Sequence, residues 1–335
     1  MIKICICGGG SLGHVCAGVL SSMPDVQVNI HTRRPEDWSD TLIVTDCDGK
    51  KFIGHPSIIS ADDKTATNGC DIVFLCLPGF AIEEELRRIK PYLGPDTVVG
   101  SIVSSTGFFF AAHDILGKDA KLFGFQRAPF IARLTEYGRS ANLLGYKSQL
   151  AIAIENIQDR DAFRALVEKL WLTPVKILNN YYEAALTNSN PILHPARLYS
   201  MWKDWNGELF DHNTLFYSEW NDDASRLLIA MDDEFQSLLR RLPVAQGAIP
   251  PLLDYYESTD VSSLTSKIRS IPAFRNILAP MKQVEGGWIP DFTSRYFTED
   301  FPFGLGLINN LIGVESKWIR KVYEWGMSKI LSYKI

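Results

Sequence analysis

The chain opens with a run, residues 2–7, that is apolar but for Lys3, stops at Gly8, Gly9 and Gly10 and gives way to a mixed apolar stretch over 15–20. A short apolar run bounded by glycines reads as a buried strand, and the longer pattern behind it reads as a helix. Residues 26–30 alternate apolar and polar and predict a second strand. Residues 71–78 form a continuous apolar run of the kind found in the middle of a parallel sheet, with a helix predicted behind it over 82–92. Further strands are predicted at 97–103, 121–125 and 148–154. Strand and helix alternate, so the first half reads as α/β, an N-terminal Rossmann doubly wound parallel sheet.

Beyond Asn179 the pattern changes. Long amphipathic stretches cover 181–202, 214–242 and 303–331, and Leu227, Leu228, Met231, Phe235, Leu238, Leu239 and Leu242 recur at helical spacing on one face. A chain of 335 residues suits two domains. The expected division is a Rossmann domain over 1–178 and a mainly α-helical domain over 179–335.

The glycines carry the first chemistry. Their spacing is Gly8-x-Gly10-x-x-Gly13, in which the first permits the turn off the strand, the second admits a pyrophosphate to the backbone and the third lets the helix pack closely. The phosphates then face the unpaired N–H groups of a helix N-terminus. Gly8, Gly10, Ser11, Leu12 and Gly13 are therefore cofactor-binding candidates, Ser11 as an added donor. At the end of the second strand, where an acid selects NAD, the chain reads His31-Thr32-Arg33-Arg34-Pro35-Glu36. Two arginines beside a hydroxyl suit a 2′-phosphate, so Thr32, Arg33 and Arg34 point to NADP, with NAD as the other choice.

Bulk properties narrow the partners. Apolar content of 46% and charged content of 22% are ordinary for a globular protein, and a net charge of −5 without a basic run argues against nucleic acid or an anionic membrane. No apolar stretch reaches the roughly 18 residues of a membrane span, and the N-terminus is unlike a signal peptide, so a cytoplasmic location is expected. All six cysteines lie at or before Cys76, without paired metal-ligand spacing, and read as core thiols; no metal site is expected.

Three stretches carry polar residues that periodicity leaves unexplained. In Asn188-Ser189-Asn190-Pro191-Ile192-Leu193-His194-Pro195, two prolines predict a break that displays His194 at an element end, with Asn190 four residues before it. Arg295 and Asp300 precede a predicted helix, for which Asp300 also suits an N-cap. Gln126 to Arg133 follow a strand and read as a loop facing the ligand crevice.

These residues together resemble the opine dehydrogenase family of the NAD/NADP octopine/nopaline dehydrogenase type. The resemblance rests on the Gly8–Gly13 loop, Gln126 to Arg133, His194-Pro195, and Arg295 followed by Asp300, Pro302 and Gly304-Leu305. It implies NAD(P)H-dependent reductive condensation of an amino acid with a 2-oxo acid such as pyruvate, through an imine. His194 then falls in the proton-exchanging role, with Asp300 fixing its tautomer and Arg295 holding a substrate carboxylate. Gln126, Arg133 and Asn190 become further substrate-binding candidates. Two alternatives stand beside this reading: a 2-hydroxyacid-forming reductase of the ketopantoate reductase or glycerol-3-phosphate dehydrogenase type, and a non-enzymatic NADP-sensing protein. The former depend on a lysine that is missing from 188–198 and from beside Arg295. The long second-domain helices leave room for a homodimer.

Overall fold

In a computed structural model describing residues 1–333, the opening apolar run becomes strand β1 (Ile2–Cys7), flanked by parallel neighbours on both sides. The strands that follow are β2 (Val26–His31), β3 (Leu42–Asp46), β4 (Lys51–Gly54), β5 (Ile58–Ser60), β6 (Ile72–Leu75) and β7 (Val98–Ser101). After them come β8 (Leu122–Phe125), β9 (Phe130–Glu136), β10 (Ser140–Tyr146), β11 (Leu150–Glu155) and β12 (Val175–Ile177). Eight of these form one sheet in the order β5-β2-β1-β6-β7-β8-β11-β12, parallel throughout except where β11 meets β8. Strand order reverses between β1 and β6, which places a crevice at their carboxyl ends.

Both faces of this sheet are covered, which explains the uninterrupted apolar runs. Ile4, Ile6, Val28, Ile30 and Phe74 pack into one core, while Cys5, Cys7, Val73, Leu75 and Val99 pack into another. Each fully buried side chain of this size contributes about 1.5–3 kcal/mol relative to exposure. The expected Rossmann sheet is thus present.

A second sheet, β4-β3-β10-β9, was not foreseen. It packs on the first helix, Ser11–Ser21. Its β9 takes up part of the stretch expected to be a crevice loop, so Arg133 lies within a strand. The Arg133 side chain is exposed there and its guanidinium donates to the Ala132 carbonyl at 3.1 Å.

The chain divides into two compact units, Met1–Thr187 and Asn188–Ile335. The helix Tyr181–Leu186, placed by the sequence pattern beyond the boundary at 178/179, packs within the first unit. Its Tyr181 ring stacks on Phe109, and Gln126 donates to the Glu183 carbonyl at 3.2 Å and to Thr187 Oγ1 at 2.9 Å.

The second unit is mainly helical, as expected, with one small hairpin, Met281–Val284 paired with Gly287–Pro290. The helix Asn190–Trp202 is buried nearly all round and forms its centre. The helix Asp222–Leu239 starts later than predicted, at Asn221, whose side chain accepts from Ala224 N–H and whose next two residues are acids suited to the helix dipole. The predicted 303–331 stretch resolves into a π-helical turn, Asp300–Leu305, then the helices Gly306–Ile312 and Trp318–Ser332.

Candidate active site

The glycine loop has the geometry its spacing predicts. Gly8 adopts φ +119°, a conformation that favours glycine, and a Cβ on Gly13 would lie 2.1 Å from the Gly8 carbonyl oxygen, so helix and strand touch through that position. A Cβ on Gly10 would meet nothing within 4 Å, which leaves open approach to the backbone. Gly8 and Gly10 line a cavity of about 350 Å³, together with Thr32, Arg33, Arg34 and Tyr137. Leu12 is half-buried against the adjacent core. Ser11 Oγ accepts from the Leu134 N–H at 3.1 Å, which leaves its own O–H to donate. His14 is fixed in the first helix: Nδ1 lies 3.0 Å from the Gly10 carbonyl, and Nε2 accepts from the Gly138 N–H at 2.7 Å. Burial holds its pKa below the usual histidine range.

At the end of β2 the two arginines differ. Arg34 lies over the Tyr137 ring at 4.4 Å and pairs with Asp37 at 3.3 Å, whereas the exposed Arg33 guanidinium has no hydrogen bond or ion pair among the described residues. Thr32 is buried, and its Oγ1 lies 3.4 Å from the Arg34 N–H. The loop glycines, the helix N-terminus and the free cation fit a dinucleotide.

Beneath this cavity lies a cluster with no signal in the sequence, because its members come from distant segments. The buried His31 ring has Nδ1 2.5 Å from Glu85 Oε1 and Nε2 3.0 Å from Asp63 Oδ1. Asp63 is held in turn by Arg88 at 2.6 Å. Burial opposes a charged ring, but hydrogen bonding to Cys7 and Glu85 and the charge of the Glu85 carboxylate outweigh it, and His31 is pushed up to about 10. Cys7, His31 and Glu85 bring potential metal-ligand atoms within 4.8 Å of one another. The direct 2.5 Å hydrogen bond is, however, closer than ligands spread around a zinc ion, each about 2.0–2.3 Å from the metal.

In the second unit, His194 lies in the second turn of Asn190–Trp202 and is buried, which corrects the expectation of an element end. The helix runs through both prolines for a simple reason. Pro191 occupies a first-turn position whose N–H would have no partner, and Pro195 leaves one early carbonyl without its bond. Asn190 is the first residue of the same helix, half-buried, with its N–H on Asn188 Oδ1 at 3.2 Å.

Asp300 caps no helix by its side chain; its Oδ2 lies 2.8 Å from His194 Nδ1. The π-turn that begins at Asp300 is the type of local widening that re-aims side chains. It approaches the His194 helix closely because Gly304 faces Pro191, where a Cβ would come within 2.9 Å of the proline ring. On the other ring nitrogen, His194 Nε2 lies 2.9 Å from the Tyr217 hydroxyl. Tyr217 was hidden inside a stretch read as helix and is the site residue that sequence reasoning missed. Arg295, in the short helix Arg295–Thr298 just before Asp300, is exposed, and its side chain has no hydrogen bond or ion pair among the described residues.

With a nucleotide cradle in one unit and a histidine–carboxylate pair in the other, the chain is an NAD(P)-dependent dehydrogenase. Residues 177–330 match the family described as NAD/NADP octopine/nopaline dehydrogenase, alpha-helical domain, and residues 4–123 match Ketopantoate reductase PanE/ApbA. The chain is similar to octopine dehydrogenase of Mizuhopecten yessoensis, 29% identical over 98% of this chain and 90% of that one. It is also similar to solved octopine dehydrogenase structures with NADH and L-arginine, at TM-score 0.86 and 27% identity, and with NADH and pyruvate, at TM-score 0.85 and 26% identity. Each covers 98% of this chain, and the chain covers 90% and 89% of them respectively. The chain is thus similar to opine dehydrogenases over nearly its whole length, and it is an oxidoreductase that acts on CH–NH groups. No helix among the described residues is long and apolar enough to cross a membrane.

Proposed function

We propose that the chain catalyses NAD(P)H-dependent reductive condensation of an amino acid with a 2-oxo acid such as pyruvate, through an imine. The glycine-loop unit holds the dinucleotide and the helical unit supplies the substrate chemistry. When bound, the cofactor supplies the hydride that reduces the imine carbon.

The observation that carries this reading is the His194 ring, bonded at Nδ1 to Asp300 and at Nε2 to a neutral hydroxyl. With Nδ1–H directed at a carboxylate, Nε2 is a base able to take a proton from the amino acid's ammonium group, so that its lone pair can attack the keto carbon. Once protonated, the same nitrogen is the acid that helps the carbonyl oxygen leave as water. Asp300 compensates the imidazolium in between. Arg295, without a hydrogen bond or ion pair among the described residues, is assigned to a substrate carboxylate, which a guanidinium holds through two parallel hydrogen bonds. Asn190 and Arg133 are assigned to secondary substrate contacts. Gln126 already spends its amide N–H donors inside the first unit, so any substrate contact falls to its oxygen.

Arg33 is the proposed reader of a 2′-phosphate, with Arg34 held beside it by Tyr137, and this favours NADPH over NADH.

The test is turnover by purified protein with NADPH or NADH, a panel of amino acids, and pyruvate or 2-oxoglutarate, with product mass measured. A secondary amine joining both substrates is expected. Cofactor consumption with oxo acid alone, yielding a hydroxyacid, overturns the proposal. Full activity in His194→Ala overturns the assignment of the proton-exchanging group.

A further inference from the structure

Tyr217 is left unused by the roles given to His194, Asp300 and Arg295, yet its hydroxyl occupies the nitrogen on which those roles depend. In the neutral ring, Nδ1–H donates to Asp300, so Nε2 accepts and the Tyr217 O–H donates to it across 2.9 Å. The phenol is held firmly in place. Its ring stacks on Phe274 with centroids 4.1 Å apart, lies parallel to Trp220 and meets Phe216 edge-on, and the residue is 4% exposed. The backbone that carries it is tied down by the buried Arg197, which donates to the carbonyls of Phe216 at 3.0 Å and Glu219 at 2.7 Å. A substrate that needs Nε2 therefore finds an oxygen already there, on a side chain packed too tightly to swing aside.

We infer that Tyr217 is a proton relay between His194 Nε2 and the substrate, carrying the amine's proton in and returning it to the oxygen lost as water. This rests on the amino acid and oxo acid reading above. On the way in, the substrate ammonium gives a proton to the Tyr217 oxygen as the Tyr217 O–H proton passes to Nε2. After the amine nitrogen has added to the keto carbon and the adduct has shifted one N–H proton to its alkoxide oxygen, leaving a neutral nitrogen and a hydroxyl, the flow reverses. The Tyr217 proton moves to the adduct's hydroxyl as its C–O bond breaks, the nitrogen lone pair forms the C=N bond, and the Nε2 proton refills the Tyr217 oxygen. The imidazolium loses one proton, the adduct loses one water, and Tyr217 ends as it began. Burial, helped by the charge of Asp300, pushes the phenol well above the usual tyrosine range, so its hydroxyl keeps a proton to pass on at neutral pH.

Tyr217→Phe preserves the stacked ring and removes the hydroxyl. The expected result is a single-turnover rate about 100-fold lower, in the range of general acid–base effects, with KM for both substrates changing less than about threefold. Mixed H2O/D2O solvents should give a curved rate dependence in the parent, from two protons in flight, and a linear or flat one in the variant. An unchanged rate overturns the relay, as does a loss confined to KM. If the variant fails to fold, 3-fluorotyrosine at position 217 keeps ring and hydroxyl and is expected to shift the rate without shifting KM; an unshifted rate overturns the relay. The parent's product, measured in parallel, separates the two ideas: a hydroxyacid in place of a secondary amine sinks the wider reading whatever Tyr217 does, whereas a secondary amine made at an unchanged rate by Tyr217→Phe sinks the relay alone.

Discussion

Both units bury a histidine against carboxylates, and the two rings are wired differently. His31 has an acid on each nitrogen, Glu85 at 2.5 Å and Asp63 at 3.0 Å, so both ring protons are matched by negative charge and the imidazolium is the stable form. His194 has an acid on Nδ1 and a neutral hydroxyl on Nε2. One nitrogen is fixed and the other faces a group that can give or take a proton. Burial and a carboxylate are common to both, so neither marks a histidine for proton transfer. The proposed role of His194 rests on the uncharged second partner.

The largest effects should separate these two rings. His194→Gln is expected to lower kcat by about 10²- to 10⁴-fold with little change in the urea unfolding midpoint. His31→Gln should do the reverse, because it leaves Glu85 and Asp63 uncompensated in a buried site. A stability loss of about 3–5 kcal/mol is expected there, read from urea unfolding. The pH dependence has a definite sign. His31 is raised from 6.5 to about 10, so its stabilisation is fully present below about pH 6.5 and is lost as pH rises through 10. The gap in midpoint between parent and His31→Gln should therefore narrow from pH 6.5 to 10. A gap that widens instead, or a His31 variant that loses turnover at unchanged stability, breaks the comparison.

What was legible in the sequence was local. The β1 strand, the glycine spacing and the first helix are contiguous, and each glycine answers to its own backbone geometry, so the cradle could be read directly. The second sheet could not, because its strands break the alternation that signals a half-buried strand: Ile43, Ile53, Ile131 and Leu144 point outward and are exposed. His194 was found through its flanking prolines and the family resemblance, but the prolines misled about its place, since a first-turn proline costs a helix nothing. The His31 cluster and Tyr217 were illegible for another reason. Residues 7, 31, 63 and 85, like 194, 217 and 300, meet through the fold and share no spacing.

A smaller effect probes how the His194 pair is held. In Gly304→Ala the new Cβ would crowd the Pro191 ring at 2.9 Å and push the π-turn off the His194 helix. Real Cβ atoms essentially never come that close, so the turn or the Pro191 ring must shift, lengthening the Asp300–His194 contact. About a 10- to 30-fold loss in kcat is expected, with about 1–3 kcal/mol of stability. Parent-like kcat would mean that the pair tolerates looser geometry than a fixed tautomer requires.

The smallest effect belongs to the cofactor cavity, whose working parts are backbone and exposed charge rather than a buried ring. Arg33 is solvent-exposed, so a phosphate contact there is screened and worth less than a buried bidentate pair. Arg33→Ala is expected to lower kcat/KM for NADPH about five- to tenfold, or roughly 1–1.4 kcal/mol, while NADH changes less than about twofold. The NADPH penalty should shrink as salt is raised, because screening weakens the contact in the parent, and the His194→Gln defect should not. Equal losses with both cofactors would move Arg33 from the 2′-phosphate to the shared pyrophosphate and leave cofactor choice to Arg34 and Thr32.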